Sequence, residues 1–123
     1  MPHSIFQGRR ILVAEDEYFL ADELRRELQD AGAEMLGPVA SVRSGLQILE
    51  ARTKPDAASL DVNLGGECVY PLADVLIARS VPFVFTTGYD QGVIPDAYAH
   101  VLRLEKPVEP ETVLAAIGTL LKA

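Results

Sequence analysis

Three carboxylates, a hydroxyl and an ammonium stand just past the ends of four apolar runs in this sequence. Glu15 and Asp16 follow ILVA, Asp61 follows AASL, Thr87 and Gly88 follow FVFT, and Lys106 with Pro107 follows the run around VLRL. If those runs are strands of one open α/β sheet, their carboxyl ends meet along one edge, which is where such sheets bind ligands. Carboxylates gathered there repel: two unit charges about 4 Å apart cost about 4 kcal/mol at an effective dielectric of about 20. Such a group takes up protons or holds a cation. Oxygen ligands with no His or Cys among them favour a hard ion, Mg²⁺ first and Mn²⁺ second, with Glu15, Asp16 and Asp61 as ligands. Asn63, in the Gly-rich turn NLGGE, could add its backbone carbonyl.

With a metal in place the other groups acquire roles. A carboxylate can attack phosphorus and become an aspartyl phosphate. Phosphoryl transfer needs mainly in-line positioning and neutralisation of the equatorial oxygens, which a divalent ion, a hydroxyl and an ammonium supply. Asp61 follows the central run and is the candidate nucleophile. Thr87 would hydrogen-bond one phosphoryl oxygen, Lys106 would pair with another, and Gly88 would let the backbone approach.

The elements that must position these groups follow from the hydrophobic pattern. Apolar runs at 11–14, 33–39, 57–60, 83–86 and 101–104 lack clean alternation, which predicts strands of a parallel sheet covered on both faces. Between them, Leu20, Leu24 and Leu28 predict a helix over 17–31 stopped by Gly32; Ser41 caps a helix over 42–52 with Leu46 and Leu49 inward. Pro71 opens a helix over 72–79, and Pro110 one over 111–122 with Val113, Leu114, Ile117, Leu120 and Leu121 inward. Gly92 and Pro95 interrupt the segment 90–100, where only 95–99 has the makings of a short helix within a mobile connection. Strand and helix thus alternate five times. The right-handed crossover rule makes this a doubly wound α/β domain, (βα)5, with its fourth helix short or mobile.

The 123 residues suit one domain, with a core over about 9–122. A net charge of −7 without a basic block argues against nucleic acid and suits a protein partner or a cation. No apolar run approaches the ~20 residues of a membrane span, and MPHSIFQGRR lacks the order of a signal peptide, so a cytoplasmic location is expected. Cys68, the sole cysteine, excludes an internal disulfide.

Taken together, ILVAEDE, LDVNLGG, TTG and EKP resemble the acidic pair, phosphoacceptor turn, hydroxyl position and lysine–proline step of response regulator receiver domains, over nearly the whole chain. The resemblance implies a flavodoxin-like five-stranded parallel sheet of order 2-1-3-4-5 and a cis Lys106–Pro107 peptide. It also implies a phosphoryl group received on Asp61 from a histidine kinase or histidine phosphotransfer protein. FTTGY with LDVNLGGE is also similar to the branch nicknamed FAT GUY, typically stand-alone receivers; Thr86 replaces that motif's small residue. The chain ends with the fifth helix, so no output domain is expected, and signalling would pass to a downstream protein partner from a monomer or weak homodimer.

Two departures stand out. Arg103 occupies the position, three residues before the lysine, where most receivers carry a switching aromatic, which leaves Thr87 and Tyr89 as the other switch candidates. Gly65 or Gly66 stands where a proline is common. Other readings are a phosphate sink or a phosphorylation-independent docking domain. An aspartyl-phosphate phosphohydrolase would be an enzyme, but needs D-x-D-x-T where this chain has EDE; a flavin phosphate would be repelled by the same residues.

Overall fold

The computed structural model describes residues 5–51, 53–88 and 94–122. In chain order these form β1 (Arg10–Ala14), α1 (Tyr18–Asp30), β2 (Glu34–Val39), α2 (Val42–Glu50), β3 (Ala57–Asp61), β4 (Asn63–Leu64), β5 (Glu67–Cys68), α3 (Tyr70–Ala78), β6 (Phe83–Thr87), a 3₁₀ turn (Asp96–Tyr98), β7 (Arg103–Glu105) and α4 (Pro110–Lys122). Five strands pair in the order β2-β1-β3-β6-β7, all parallel. β4 and β5 form a separate two-stranded antiparallel ribbon, so the order is the expected flavodoxin-like 2-1-3-4-5 with the ribbon inserted after the third strand.

Strand alternation divides the interior into two cores. Ile11, Val13, Ala57 and Val84 pack with Leu20, Leu24 and Leu28 of α1 and Val113 and Ile117 of α4. Leu12, Ala58, Leu60, Phe83 and Phe85 face the other way, onto Leu49 of α2 and Leu72, Ala73 and Leu76 of α3. β1, β3 and β6 are therefore buried on both faces, and a near-continuous apolar run is what that environment selects. β2 and β7 are edge strands. Their residues are mostly exposed or half-buried, which corrects the expectation that all five runs are covered on both sides. The last strand also starts at Arg103 instead of Val101, because Val101 N–H is taken by Tyr98 O in the preceding turn.

Local chemistry explains the helix ends. Ser41 Oγ accepts the Ser44 N–H at 3.1 Å and caps α2. The stop after α1 uses Gly32 at φ +91°, a conformation a Cβ would strain. Leu46 of α2 is only half-buried, whereas Gly45 lies deep against α3: a Cβ there would sit 2.7 Å from Leu72 Cδ2, so the missing side chain sets how closely α2 meets α3. α3 begins at Tyr70, two residues earlier than its proline suggested. The segment 90–100 yields only the 3₁₀ turn among the described residues. Among the described residues no helix is long and apolar enough to cross a membrane.

Candidate functional site

Parallel register brings the chemistry-bearing residues together. Ala14 pairs with Leu60, and Asp61 with Thr86, which pairs in turn with Leu104. The next positions along the chain, Glu15 and Asp16 after β1, Thr87 on β6 and Lys106 after β7, complete one edge. Glu15 N–H bonds Val39 O at 3.0 Å and Lys106 N–H bonds Thr87 O at 2.8 Å, so backbone bonds fix the roots of both side chains.

Lys106 is the hub. Its Nζ lies 2.9 Å from Glu15 Oε2 and 2.9 Å from Asp61 Oδ2, with exposed Glu17 Oε1 at 3.7 Å. The Lys106–Pro107 peptide is cis, as is Gly37–Pro38. Asp61 Oδ1 accepts the Asn63 N–H at 3.2 Å, and Glu15 Oε2 accepts the Glu17 N–H at 3.0 Å. Asp16 Oδ2 accepts the Gly65 N–H at 3.0 Å, tying the ribbon turn to the acidic pair, while Asn63 Oδ1 accepts from Gly66 N–H at 3.0 Å. Glu15 and Asp61 are buried and Asp16 is exposed.

Burial governs the electrostatics. Loss of hydration is the main cause that pushes the Glu15 carboxyl up, to about 7; Lys106 works against that shift and Asp61 adds to it. Asp61 is raised for the same first reason, against the hydrogen bond from Lys106. Burial disfavours the Lys106 ammonium as well, but hydrogen bonds to both carboxylates outweigh it and hold the lysine charged.

Glu15, Asp16 and Asp61 each offer an oxygen within 4.8 Å of the others. Three ionised carboxylates and one ammonium leave two negative charges, which a divalent cation would balance. The all-oxygen donor set, with one exposed carboxylate through which water has access, fits a hard ion that keeps part of its hydration. The Asn63 carbonyl remains the expected fourth contributor, its N–H already being committed to Asp61.

Thr87 is buried at the end of β6, and its hydroxyl donates to Gly88 O at 2.9 Å instead of to the carboxylates. Gly88 lines a cavity of about 470 Å³ beside Glu17, Phe19, Lys106 and Pro107. Tyr89 lies outside the described residues. Arg103 is exposed on β7, in register with Phe85. The aromatic side chains of that region come from elsewhere: Tyr70 at the start of α3 stacks on Tyr98 at 4.8 Å and 11°, and Phe85 meets both edge-on. Tyr98 Oη donates to Asp74 Oδ1 at 2.6 Å, the main reason its hydroxyl is pushed up to about 12.

Sequence reasoning missed three features of the site. Glu17 as a third carboxylate near Lys106 had a signal in the EDE run; the Gly65 bond to Asp16 and the Tyr70–Tyr98 stack had none, since each joins residues distant in the chain.

No family model matches the chain. It is 30% identical over 115 residues to the sensory transduction protein LytT of Bacillus anthracis, covering 88% of this chain and 45% of the relative, so it spans less than half the length of that curated relative. Among solved structures, the solution structure of SdrG from Sphingomonas melonis Fr1 is 36% identical, with a TM-score of 0.78, over 96% of this chain and 98% of that one. A response regulator receiver protein from Sinorhizobium medicae WSM419 is 25% identical with a TM-score of 0.77, over 94% and 96% of the two chains. With 36% identity over 98% of the SdrG chain and a fold shared with a protein described as a response regulator receiver, the chain belongs to the response regulator receiver family.

Proposed function

We propose that the chain is a phosphoacceptor signalling module. It would take a phosphoryl group onto Asp61 from a histidine kinase or histidine phosphotransfer protein and signal through altered affinity for a protein partner. The observation that carries this reading is the buried Asp61 carboxylate, held between Lys106 Nζ and the Asn63 N–H beside two further carboxylates. A structure described as the BeF3-activated conformation of SdrG, 37% identical over 91% of this chain, supports it by likeness. FTTGY with LDVNLGGE supports placement in the FAT GUY branch.

Mechanistically, Asp61 attacks phosphorus while the donor group leaves with its electron pair, and no proton moves. Mg²⁺ held by Glu15, Asp16, Asp61 and the Asn63 carbonyl would neutralise phosphoryl charge when bound. Lys106 turns from its carboxylate partners to a phosphoryl oxygen, which its long stem permits. Thr87 exchanges Gly88 O for another phosphoryl oxygen; the reordering expected of the 89–100 connection concerns a segment of which residues 89–93 lie outside the described residues. Arg103, exposed, takes no part in an inward aromatic swing. The module turns over no substrate beyond its own phosphotransfer and hydrolysis.

Incubation with Mg²⁺ and acetyl phosphate should add one phosphoryl mass to the wild-type chain and none to Asp61→Asn. An unmodified wild type with acetyl phosphate and with phosphorylated kinases alike would overturn the reading. Partner binding that ignores phosphorylation would favour the docking-domain alternative.

A further inference from the structure

Thr86, next to the phosphoacceptor strand, carries a hydroxyl with no evident occupation. The residue is 1% exposed, and its Oγ1 has no hydrogen-bond partner among the described residues. A buried, unpaired hydroxyl is costly, and valine has the same shape without the cost. The Thr86 position is not neutral ground: it is the register partner of Asp61 in parallel β3. Alternation sets the face. Val84 and Leu104 pack in the α1/α4 core, whereas Phe85 packs in the other, so Thr86 projects to the α1/α4 side with Leu104. Leu60 faces the α2/α3 core, which places Asp61 in the same row as Thr86. Neighbouring strands are about 4.8 Å apart, within reach of a hydroxyl-to-carboxyl hydrogen bond after rotation about one side-chain torsion.

We propose that Thr86 is a positioning residue for phosphotransfer, its hydroxyl donating to the carboxyl oxygen of Asp61 that does not bond phosphorus. The inference rests on the phosphoacceptor reading above. In the present arrangement Asp61 is already served by Lys106 at Oδ2 and Asn63 N–H at Oδ1, and Thr86 is spare. When the Lys106 ammonium turns to the phosphoryl group, the buried Asp61 carboxyl loses one donor. Thr86 supplies the replacement and orients the carboxyl group for in-line attack. In the forward step an Asp61 oxygen bonds phosphorus as the donor's leaving atom, a histidine ring nitrogen or the acetate oxygen of acetyl phosphate, departs with its electron pair. In hydrolysis water bonds phosphorus and Asp61 leaves as carboxylate, the water's protons passing to phosphate and solvent. A donor on the second carboxyl oxygen serves the two directions differently: it fixes the carboxyl plane for attack in the first, and it stabilises the negative charge that Asp61 takes up as leaving group in the second.

The test compares wild type with Thr86→Val, Thr86→Ala and Thr86→Ser. Each is measured for urea midpoint, for acetyl phosphate phosphorylation over a range of donor concentrations, and for decay of the phosphoprotein. Thr86→Val should keep or raise the urea midpoint, while the maximal phosphorylation rate and the decay rate each fall about tenfold, the scale of a hydrogen bond to a charged acceptor. Half-saturation by donor should not move, and Thr86→Ser should restore both rates. Thr86→Ala gives the same comparison should valine disturb the fold. Wild-type rates in folded Thr86→Val or Thr86→Ala would overturn the role of Thr86 alone. A wild-type chain that accepts no phosphoryl group would overturn the phosphoacceptor reading, and this role with it.

Discussion

Removing one negative charge from the site should make the metal-free protein more stable, and the gain should depend on pH in a defined window. Glu15 is buried beside Asp61, with its carboxyl pushed from 4.5 to about 7 chiefly by burial. Because the folded state binds the proton more tightly than the unfolded chain, this group leaves stability untouched below about pH 4.5. It subtracts stability progressively as pH rises to about 7 and holds that deficit above. At about 1.36 kcal/mol per pH unit, the interval between the two values bounds the deficit at about 3 kcal/mol. The raised Asp61 carboxyl acts in the same direction, and the raised lysine adds stability that is constant over this range and is lost only in strongly alkaline solution. Glu15→Gln keeps an oxygen to accept from Glu17 N–H and Lys106 while deleting the charge. Urea unfolding in EDTA at pH 5, 6, 7 and 8 should therefore show wild type weakening with pH and Glu15→Gln following a flatter line, ahead by about 2–3 kcal/mol at pH 8. Saturating Mg²⁺ should restore wild type at pH 8 and help the variant less. Parallel lines for the two proteins, or a variant less stable than wild type at pH 8, would refute the account of Glu15 as a carboxylate strained by burial.

Two further substitutions probe the frame around the site. Tyr98→Phe keeps the buried ring and its stack on Tyr70 but deletes the hydroxyl that bonds Asp74, and should lower stability by about 1–2 kcal/mol in urea titration; an unchanged midpoint would mean that solvent already satisfies Asp74. Ser41→Ala removes the N-cap of α2 and should cost about 1 kcal/mol, read by the same titration, with phosphorylation of Asp61 unaffected.

Much of the site was legible because its members sit at strand ends. A buried parallel strand is spelled as an apolar run, so the polar residues within a position or two of its end mark the ligand edge without any knowledge of side-chain position. Asp61, Thr87 and Lys106 were readable for that reason, and the structure adds where their atoms point: Thr87 to Gly88 O, Lys106 to two carboxylates. Edge strands were harder. β2 and β7 share the apolar spelling of the central strands, and only sheet order reveals which runs lack a neighbour on one side. The ribbon 63–68 and the Tyr70–Tyr98 pair were illegible because their partners are chosen by tertiary geometry. Two-residue strands have no period to detect, and a stack between residues 28 apart leaves no mark in either local pattern.

β6 ends in adjacent hydroxyls that point into different halves of the molecule. Alternation sends Thr86 toward the layer of α1 and α4 and Thr87 toward that of α2 and α3. If Asp61 takes up a phosphoryl group as proposed, a single strand would adjoin that event to both helix layers. On that reading, substitution at position 86 would change how fast the phosphoryl group arrives and leaves, and substitution at position 87 would change how its presence is felt, so rate and readout would be edited at two neighbouring residues.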